Sequence, residues 1–236
     1  MGVILGIEST AHTFSFGAVS SDGKDVLASH SSLYRPEEGG IHPREAADHH
    51  VESSRTLLER AILDWNVVKS DIDAVAFSQG PGLGPCLRVG GSVARSISMA
   101  LNIPLIGVNH CVAHIEIGRR MTGCIDPVLL YVSGGNTQVI ARASGRYRVL
   151  GETLDIGIGN MLDKFGRAIG IPFPGGPEIE RKAQSYIQNY GSDHILDLPY
   201  AVHGTDMAFS GILGAAIAHA KKGQDYGLVG HSLQEI

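Results

Sequence analysis

The sequence predicts an α/β protein made of two related halves, and three patterns support this prediction. The chain opens with short runs of apolar and β-branched residues separated by turn residues, which indicate an antiparallel meander. Longer segments with apolar or small residues every three to four positions follow, and they indicate helices. The order strand, turn, strand, strand then begins again near Asp126, which indicates an internal duplication. The predicted halves are residues 1–125 and 126–236.

The first half is expected to contain five strands and three helices. Its predicted strands are Val3–Glu8, Phe14–Ser20, Val26–Tyr34, Asp73–Ser78 and Pro104–Val108. Its predicted helices are Pro43–Asp64, Pro85–Leu101 and Cys111–Arg120. In the second of these helices, Gly90 and Gly91 lack side chains and should therefore permit close packing against a neighbour.

The second half repeats the meander and then turns helical. Its predicted strands are Val128–Val132, Gln138–Arg142 and Tyr147–Glu152, and its predicted helices are Asn160–Ile169, Glu178–Tyr190 and Ala208–Lys222. The residues from His231 to Ile236 are interpreted as the start of one more helix. The second half is therefore expected to be incomplete.

Composition narrows the class of protein. A chain of 236 residues that is 43% hydrophobic can bury a substantial core. Its three cysteines form no CxxC pair, so the sequence predicts neither a disulfide framework nor a zinc ribbon, and a reducing cytoplasm fits best. No apolar run reaches the roughly 18 residues of a membrane span, and a net charge of −5 argues against broad adhesion to nucleic acid. We therefore expect a cytoplasmic protein that does not bind a membrane.

Two histidines four residues apart, His110 and His114, form the first candidate site. On a helix this spacing places both imidazoles on one face, where they could share a metal ion. The strand Val128–Val132 would bring Tyr131 and a glycine turn beside them. With 11 histidines in the chain, one such pair also arises readily by chance. A pair of ordinary core histidines therefore remains an open alternative.

Glycine- and serine-rich turns form the second candidate site, because their backbone amides can approach a phosphate closely. Four turns offer such amides, at residues 9–10, 133–135, 157–160 and 175–176. Asp163 and Glu180 each follow one of these turns by a few residues and could reach a ribose or an adenine amine. A single turn of this kind more often serves plain turn chemistry, whereas four of them in one duplicated chain favour ligand binding.

Five segments taken together resemble one protein family. They are residues 6–12 (GIESTAH), 80–84 (GPGLG), 109–116 (NHCVAHIE), 131–137 (YVSGGNT) and 172–178 (PFPGGPE). In this order they resemble the tRNA N6-adenosine threonylcarbamoyltransferases, and most of all the archaeal and eukaryotic branch, the catalytic subunit of the KEOPS complex. The resemblance extends through the whole chain. It implies an actin-like fold of the sugar kinase and Hsp70 superfamily, with two RNase H-like halves.

The resemblance also implies a set of site residues. The implied metal ligands are His110, His114 and Tyr131, and they would hold one divalent ion per subunit, either iron or zinc. The implied contacts to the adenine nucleotide are Tyr131, Val132, Ser133, Gly134, Gly135, Asp163, Gly176 and Glu180. No catalytic nucleophile is implied. Family members continue to a further aspartate ligand and to an asparagine of the nucleotide site, and neither occurs before Ile236, so this chain is expected to be an incomplete copy with doubtful activity on its own.

The implied reaction moves a threonylcarbamoyl group from threonylcarbamoyl-AMP to N6 of the adenosine 3′ to the anticodon, position 37, in tRNAs reading codons that begin with adenine. The implied partners are tRNA and KEOPS-type subunits, including a small kinase. Three alternatives stay open. A metalloprotease would use the histidine pair, although Cys111 stands where such enzymes carry glutamate; a small-molecule kinase would use Glu8; and a non-catalytic assembly subunit would need neither.

Overall fold

The first sheet is built around strand β1 (Val3–Glu8), because this strand pairs on both sides. On one side it is antiparallel to β2 (Thr13–Ser20), which pairs with β3 (Val26–Leu33). On the other side it is parallel to β4 (Ile72–Gly80), which pairs in parallel with β5 (Leu105–Asn109). Buried and partly exposed residues alternate along β1 and β2, as a strand with one face on a core requires. All five predicted strands are confirmed within two residues at each end.

Two helices pack against this sheet. Helix α1 (Pro43–Asp64) and helix α2 (Gly84–Leu101) enclose a core with the strands, and its fully buried side chains include Phe14, Phe16 and Val75. A Cβ atom at Gly90 would lie 1.9 Å from the hydroxyl oxygen of Ser9, so the predicted close packing is confirmed there. At Gly91 the nearest atom would be 3.5 Å away, which is ordinary contact. A 3-10 turn at Lys69–Asp71 was not predicted.

A computed structural model describes residues 2–36, 40–64 and 68–236, and within them the chain separates into two compact units. The first unit extends to Pro36 and resumes from Ile41 to Ile117, and the second contains Gly118–Ile236. The division falls within helix α3 (His110–Thr122), a few residues before Asp126, where the repeated strand order places the predicted boundary.

The second unit opens with a three-stranded antiparallel sheet of β6 (Val128–Val132), β7 (Thr137–Ala143) and β8 (Arg146–Glu152). This meander has the same strand order and the same antiparallel pairing as β1, β2 and β3, as the internal repeat predicts. A two-residue pair, β9 (Val202–His203) with β10 (Asp206–Met207), is too short for sequence periodicity to reveal.

Four helices follow in the second unit. They are α4 (Ile158–Ala168), α5 (Gly175–Tyr190), α6 (Ser210–Lys221) and α7 (Tyr226–Gln234). The predicted helix start at His231 is wrong. The side chain of Asp225 accepts hydrogen bonds from the amides of Gly227 and Leu228, so α7 begins at Tyr226 and buries His231 in its interior. Among the described residues, no helix combines the length and the apolar character needed to cross a bilayer.

Candidate functional site

The two histidines lie at the start of α3, where the chain leaves β5. The side-chain oxygen of Asn109 accepts hydrogen bonds from the amides of Cys111 (3.0 Å) and Val112 (3.2 Å), which satisfies two amides that the first helical turn leaves unpaired. This cap fixes the start of the helix, and His110 and His114 then occupy one face. Their Nε2 atoms are 3.2 Å apart, and the planes of the two rings are nearly perpendicular, at 85°.

This separation fits a shared metal ion. Two nitrogen ligands bound at roughly 2.0–2.1 Å with tetrahedral angles lie about 3.3 Å from each other. The same distance also suits a hydrogen bond between two neutral imidazoles. Burial lowers the pKa of His114, and the nearby His110 lowers it further, so His114 stays neutral at neutral pH. A neutral imidazole is the form that binds zinc or iron.

The third ligand of an ion bound by this pair is not a His, Cys, Asp or Glu side chain among the described residues. Within the described ranges, no group of three or more His, Cys, Asp or Glu residues is arranged to hold a metal ion. Tyr131, the third ligand implied by the family motifs, is buried on β6 of the second unit. Its assignment as a ligand stays a prediction.

A carboxylate contacts the histidine pair from the sheet. Because β1, β4 and β5 are parallel, their carboxyl ends meet at one edge, and this brings Glu8, Ser78 and His110 together. One oxygen of Glu8 lies 3.2 Å from Nδ1 of His110 and also accepts from the hydroxyl of Ser78. The other oxygen accepts from the amide (2.7 Å) and the hydroxyl of Thr10.

These hydrogen bonds keep Glu8 ionised. Burial alone would raise the pKa of this carboxyl group, but the hydrogen bonds from His110, Ser78 and Thr10 outweigh burial and lower the pKa to about 2. Sequence reasoning considered Glu8 only as a possible magnesium ligand of a kinase. Its place at the end of β1, beside the end of the parallel strand β4, is the signal that could have pointed to a site.

The turn at residues 9–10 is already engaged in contacts within the protein, and its use as a phosphate site stays a prediction. Ser9 and Thr10 are buried, and the Thr10 amide already donates to Glu8. The carbonyl of Thr10 accepts from the amide of Leu83, and a Cβ atom at Gly82 would lie only 2.5 Å from that carbonyl oxygen. The turn is therefore packed against the chain before α2.

In the second unit, the turn at residues 133–136 lies on the start of α4. Ser133 closes the turn: its hydroxyl donates to the Asn136 carbonyl (2.9 Å) and accepts from the Asn136 amide (3.0 Å). The amide of Gly159 donates to the Ser133 carbonyl (3.2 Å), and the amide of Asn160 donates to the Gly134 carbonyl (3.0 Å). Two amides of the first turn of α4 are thereby satisfied by the glycine turn.

The glycines before and inside α4 allow this contact. A Cβ atom at Gly157 would lie 2.7 Å from the Gly134 carbonyl oxygen, and one at Gly159 would lie 2.9 Å from the Gly134 Cα atom. The segment 157–160 therefore supports the neighbouring turn through close packing. Direct contact of this segment with a phosphate, as the sequence predicts, remains a prediction.

Gly134 and Gly135 are the exposed part of the turn. A Cβ atom at either position would meet nothing within 4 Å. In the part of the chain that the structure describes, their two amides donate no hydrogen bond. Two free amide donors next to the N-terminus of an 11-residue helix form a favourable environment for an anion.

Asp163 and the start of α5 lie farther along α4. One oxygen of Asp163 accepts from the amide of Gly175 (2.7 Å), so this side chain holds the first amide of α5. For this reason α5 begins at Gly175, three residues before the predicted start at Glu178. Asp163 is three residues beyond Asn160, or about 4.5 Å along the helix axis. This structural role of Asp163 was not predicted.

Gly176 and Glu180 lie one turn apart on the same face of α5. Glu180 is exposed, and its carboxylate receives a weak contact from Gln184 at 3.4 Å. We call the turn 133–135 with Asp163, Gly176 and Glu180 the polar row. The second unit thus places these predicted nucleotide residues on one turn and two helices that contact one another, α4 through Gly159 and Asn160 and α5 through the Asp163–Gly175 bond. Val132 points to the face of β6 opposite to that of Tyr131 and is half exposed.

Asp155 is a further polar residue that sequence reasoning missed. Its carboxylate accepts from the amides of Phe209 and Ser210, both at 2.9 Å, and from the Ser210 hydroxyl. Burial would raise the pKa of Asp155, but the hydrogen bonds from Ser210, Ile156 and Phe209 lower it well below its usual range. The residue ties the loop before α4 to the start of α6, more than 50 residues later.

Comparisons with known proteins agree with the motifs. The family model for tRNA N6-adenosine threonylcarbamoyltransferase matches residues 25–236. A relative from Thermoplasma acidophilum, named as a probable bifunctional tRNA threonylcarbamoyladenosine biosynthesis protein, is 57% identical over 99% of this chain. The match covers 42% of that relative, so the chain spans less than half the length of this relative. A tRNA N6-adenosine threonylcarbamoyltransferase from Thermococcus sibiricus is 51% identical over 99% of this chain and 69% of its own length.

Solved structures that resemble this chain are more distant. A Pseudomonas aeruginosa protein described as similar to the peptidase YEAZ covers 96% of both chains with 15% identity and a TM-score of 0.46. The ethanolamine utilization protein EutJ from Carboxydothermus hydrogenoformans covers 99% of this chain and 90% of its own, with 16% identity and a TM-score of 0.44. The family match across residues 25–236, together with the relative that is 51% identical, decides the assignment. The chain belongs to the tRNA N6-adenosine threonylcarbamoyltransferase family.

Proposed function

We propose that this chain carries the site that transfers a threonylcarbamoyl group from threonylcarbamoyl-AMP to N6 of adenosine 37 in tRNAs reading codons that begin with adenine. Family membership supports the reaction class. The observation that carries the proposal is the polar row: the turn with the free amides of Gly134 and Gly135 lies on the start of α4, the helix that carries Asp163, and Asp163 in turn bonds the start of α5, the helix that carries Gly176 and Glu180. Such an arrangement suits an adenylate, whose phosphate is anionic and whose ribose and base present hydrogen-bond donors.

The proposed roles follow from donor and acceptor chemistry. The amides of Gly134 and Gly135 can only donate, so they would bind the phosphate oxygens of the adenylate. The carboxylates of Asp163 and Glu180 can only accept, so they would bind ribose hydroxyls or the adenine amine. Asp163 has one oxygen engaged with Gly175, which leaves the other for the ligand.

A divalent ion, either iron or zinc, is part of the proposal. His110 and His114 would hold it, with Tyr131 as the third ligand that the family motifs imply, and the 3.2 Å separation of the two Nε2 atoms fits this use. When bound, the ion would supply a Lewis acid for carbonyl oxygens of the threonylcarbamoyl group.

The proposed transfer needs no covalent enzyme intermediate. Ser133 is the hydroxyl nearest to the free amides in sequence, and its oxygen both donates to and accepts from Asn136, so it is held in the turn. The N6 amine of the tRNA would therefore attack the carbamoyl carbon directly. The new C–N bond forms as the bond from that carbon to the phosphate oxygen breaks, AMP leaves, and the amine nitrogen loses one proton. Holding both reactants in one geometry supplies a large part of the rate enhancement.

The alternative functions receive no specific support. A kinase would need Glu8 free for magnesium, but both of its oxygens already accept hydrogen bonds. A metalloprotease of the usual kind needs glutamate after its first histidine, where this chain has Cys111. A non-catalytic assembly subunit would differ from our proposal only in lacking transfer activity. We also propose that the chain acts together with KEOPS-type subunits, including a small kinase. Its proposed location is the cytoplasm.

Transfer of label from threonyl-labelled threonylcarbamoyl-AMP tests the proposal. The full chain would be incubated in three reactions: with a tRNA that reads a codon beginning with adenine, with the same tRNA carrying guanosine at position 37, and without tRNA. Each reaction would be repeated in the presence of KEOPS-type subunits. We expect label only on the first tRNA, because guanosine lacks the N6 amine. Equal labelling of both tRNAs, or no labelling in any arm, would contradict the proposal.

A further inference from the structure

The carboxylate of Glu8 has all of its hydrogen-bonding capacity committed. Its first oxygen accepts twice from Thr10, once from the amide and once from the hydroxyl. Its second oxygen accepts from the Ser78 hydroxyl and faces Nδ1 of His110 at 3.2 Å. A carboxylate offers about four lone-pair sites, so these four partners fill it. Glu8 is therefore unsuited to bind a metal directly and is held in a fixed orientation.

This orientation determines which nitrogen of His110 carries a proton. An ionised carboxylate can only accept, and each neutral imidazole has one N–H and one bare nitrogen. With Glu8 opposite Nδ1, the proton lies on Nδ1 and the bare lone pair lies on Nε2. Nε2 is also the atom that faces Nε2 of His114 at 3.2 Å, the place where a shared ion would be bound.

We propose that Glu8 is a positioning residue that fixes His110 as its Nδ1–H tautomer and thereby presents the Nε2 lone pair to a divalent cation. The inference rests on the metal site of the proposed function. Second partners of metal-bound histidines commonly act in this way, by fixing the tautomer and the ring orientation. Thr10 and Ser78 contribute by holding the carboxylate, and the parallel strands β1 and β4 place it at the start of α3.

A purely structural role for Glu8 makes a different prediction. If the carboxylate served only to hold the Thr10 turn, an isosteric amide could keep the Thr10 contacts and leave His110 unchanged. If it sets the tautomer, the amide must reverse it. In Glu8→Gln the amide oxygen would stay with the donors of Thr10, so the NH2 group would face His110. His110 would then have to accept at Nδ1 and carry its proton on Nε2.

The first measurement is the tautomer of His110 in the metal-free full chain, from 15N chemical shifts of labelled histidine. The chain has 11 histidines, so the His110 signals would be identified by their loss in His110→Ala. We expect Nδ1–H in the wild type and Nε2–H in Glu8→Gln. An Nε2–H tautomer in the wild type would overturn the inference, and this result can be obtained even where the variant fails to fold.

The second measurement is the affinity for Zn²⁺ alone, by competition with a chelator. We expect Glu8→Gln to bind zinc roughly 10–100-fold more weakly than the wild type, the usual effect of losing such a partner. Glu59→Gln is the matched control, because Glu59 is an exposed residue of α1 whose carboxylate pairs with Arg55. It should bind zinc as the wild type does.

The outcomes separate the two proposals. A wild type that binds no zinc refutes the metal site, whereas the tautomer measurement still decides the role of Glu8. A Glu8→Gln variant with wild-type tautomer and wild-type zinc affinity refutes the positioning role while leaving the metal site intact.

Discussion

Single side-chain acceptors determine where several helices of this chain begin. Asn109 accepts from amides of α3, Asp225 from amides of α7, Asp163 from the first amide of α5, and Asp155 from Phe209 and Ser210 at the start of α6. A helix leaves its first four amides without partners inside the helix, and a side-chain acceptor there contributes about 0.5–2 kcal/mol. Asp155 and Asp163 do this across a sequence gap, so they also join separate elements of the second unit.

Asp155→Asn should lower stability and remove part of its dependence on pH. We expect a loss of about 1–2 kcal/mol at neutral pH, because the amide can no longer accept from Phe209, Ser210 and the Ser210 hydroxyl together. The folded-state pKa of Asp155 lies below the unfolded value, so its contribution is present above about pH 4 and is lost as pH falls through the folded-state pKa. Because the side chain is exposed, solvent screening keeps the pH-dependent part of the stability loss small.

Urea unfolding at pH 7 and at pH 3, followed by circular dichroism, measures this difference. The gap between wild type and Asp155→Asn should narrow on acidification. Asp193→Asn, a change of an exposed aspartate in the loop after α5, is the control and should match the wild type. A gap that stays constant between the two pH values would contradict the role assigned to the ionised carboxylate.

Glycines govern how closely the elements of the second unit approach. The turn 133–136 reaches the start of α4 only because Gly157 and Gly159 have no side chain, and α5 reaches α4 because Gly175 has none: a Cβ atom there would lie 3.1 Å from the Leu162 carbonyl oxygen. At Gly214, in the interior of α6, a Cβ atom would meet nothing within 4 Å. The same residue type thus serves packing in one helix and leaves open space in another.

Gly159→Ala and Gly214→Ala should therefore change stability in opposite directions. At Gly159 the new methyl group would meet backbone atoms at 2.9 Å, so we expect a loss of about 1–3 kcal/mol and displacement of the turn. At Gly214 alanine favours the helix, so we expect a gain of about 0.5–1 kcal/mol. Urea midpoints of the two variants check this, and a stable Gly159→Ala protein would contradict the close contact.

Periodicity and turn residues were sufficient to predict most elements, because β1 and the meander from β6 to β8 alternate clearly and α1 keeps a 3.6-residue period. Periodicity and turn residues did not predict helix starts and links that depend on side chains distant in sequence. The start of α5 depends on Asp163 and the link to α6 depends on Asp155, and neither contact leaves a local signal. The start of α7 depends on Asp225, which is a local cap signal that the sequence itself carries.

The candidate sites likewise combine features that the sequence predicts with features that only the structure reveals. The spacing of His110 and His114 predicts a shared face, but the partnership with Glu8 spans 102 residues and needs three adjacent parallel strands. In the second unit the motifs predict which residues contact a nucleotide. The structure adds that Gly134 and Gly135 expose free amides, whereas Gly157 and Gly159 serve packing.

At the scale of the whole molecule, both units begin with the same antiparallel meander, but they carry different candidate chemistry. The first unit holds the histidine pair and Glu8, and the second holds the polar row. The polar row is central to the proposed function, because we propose that it binds the adenylate part of the substrate. Glu180 tests it well, because its contact with Gln184 at 3.4 Å is weak and its removal should leave the fold intact.

The most direct measurement is the calorimetric affinity of the full chain for AMP, compared between wild type, Glu180→Ala and Glu178→Ala. Glu178 is on the same helix but lies about 200° around its axis from Glu180, and its carboxylate pairs with Arg181. Loss of a hydrogen bond to a charged group weakens binding by about 1.5–3 kcal/mol, so Glu180→Ala should bind AMP at least roughly tenfold more weakly, and Glu178→Ala should bind it as the wild type does. Equal affinity of all three proteins for AMP, or no binding by the wild type, would contradict the claim.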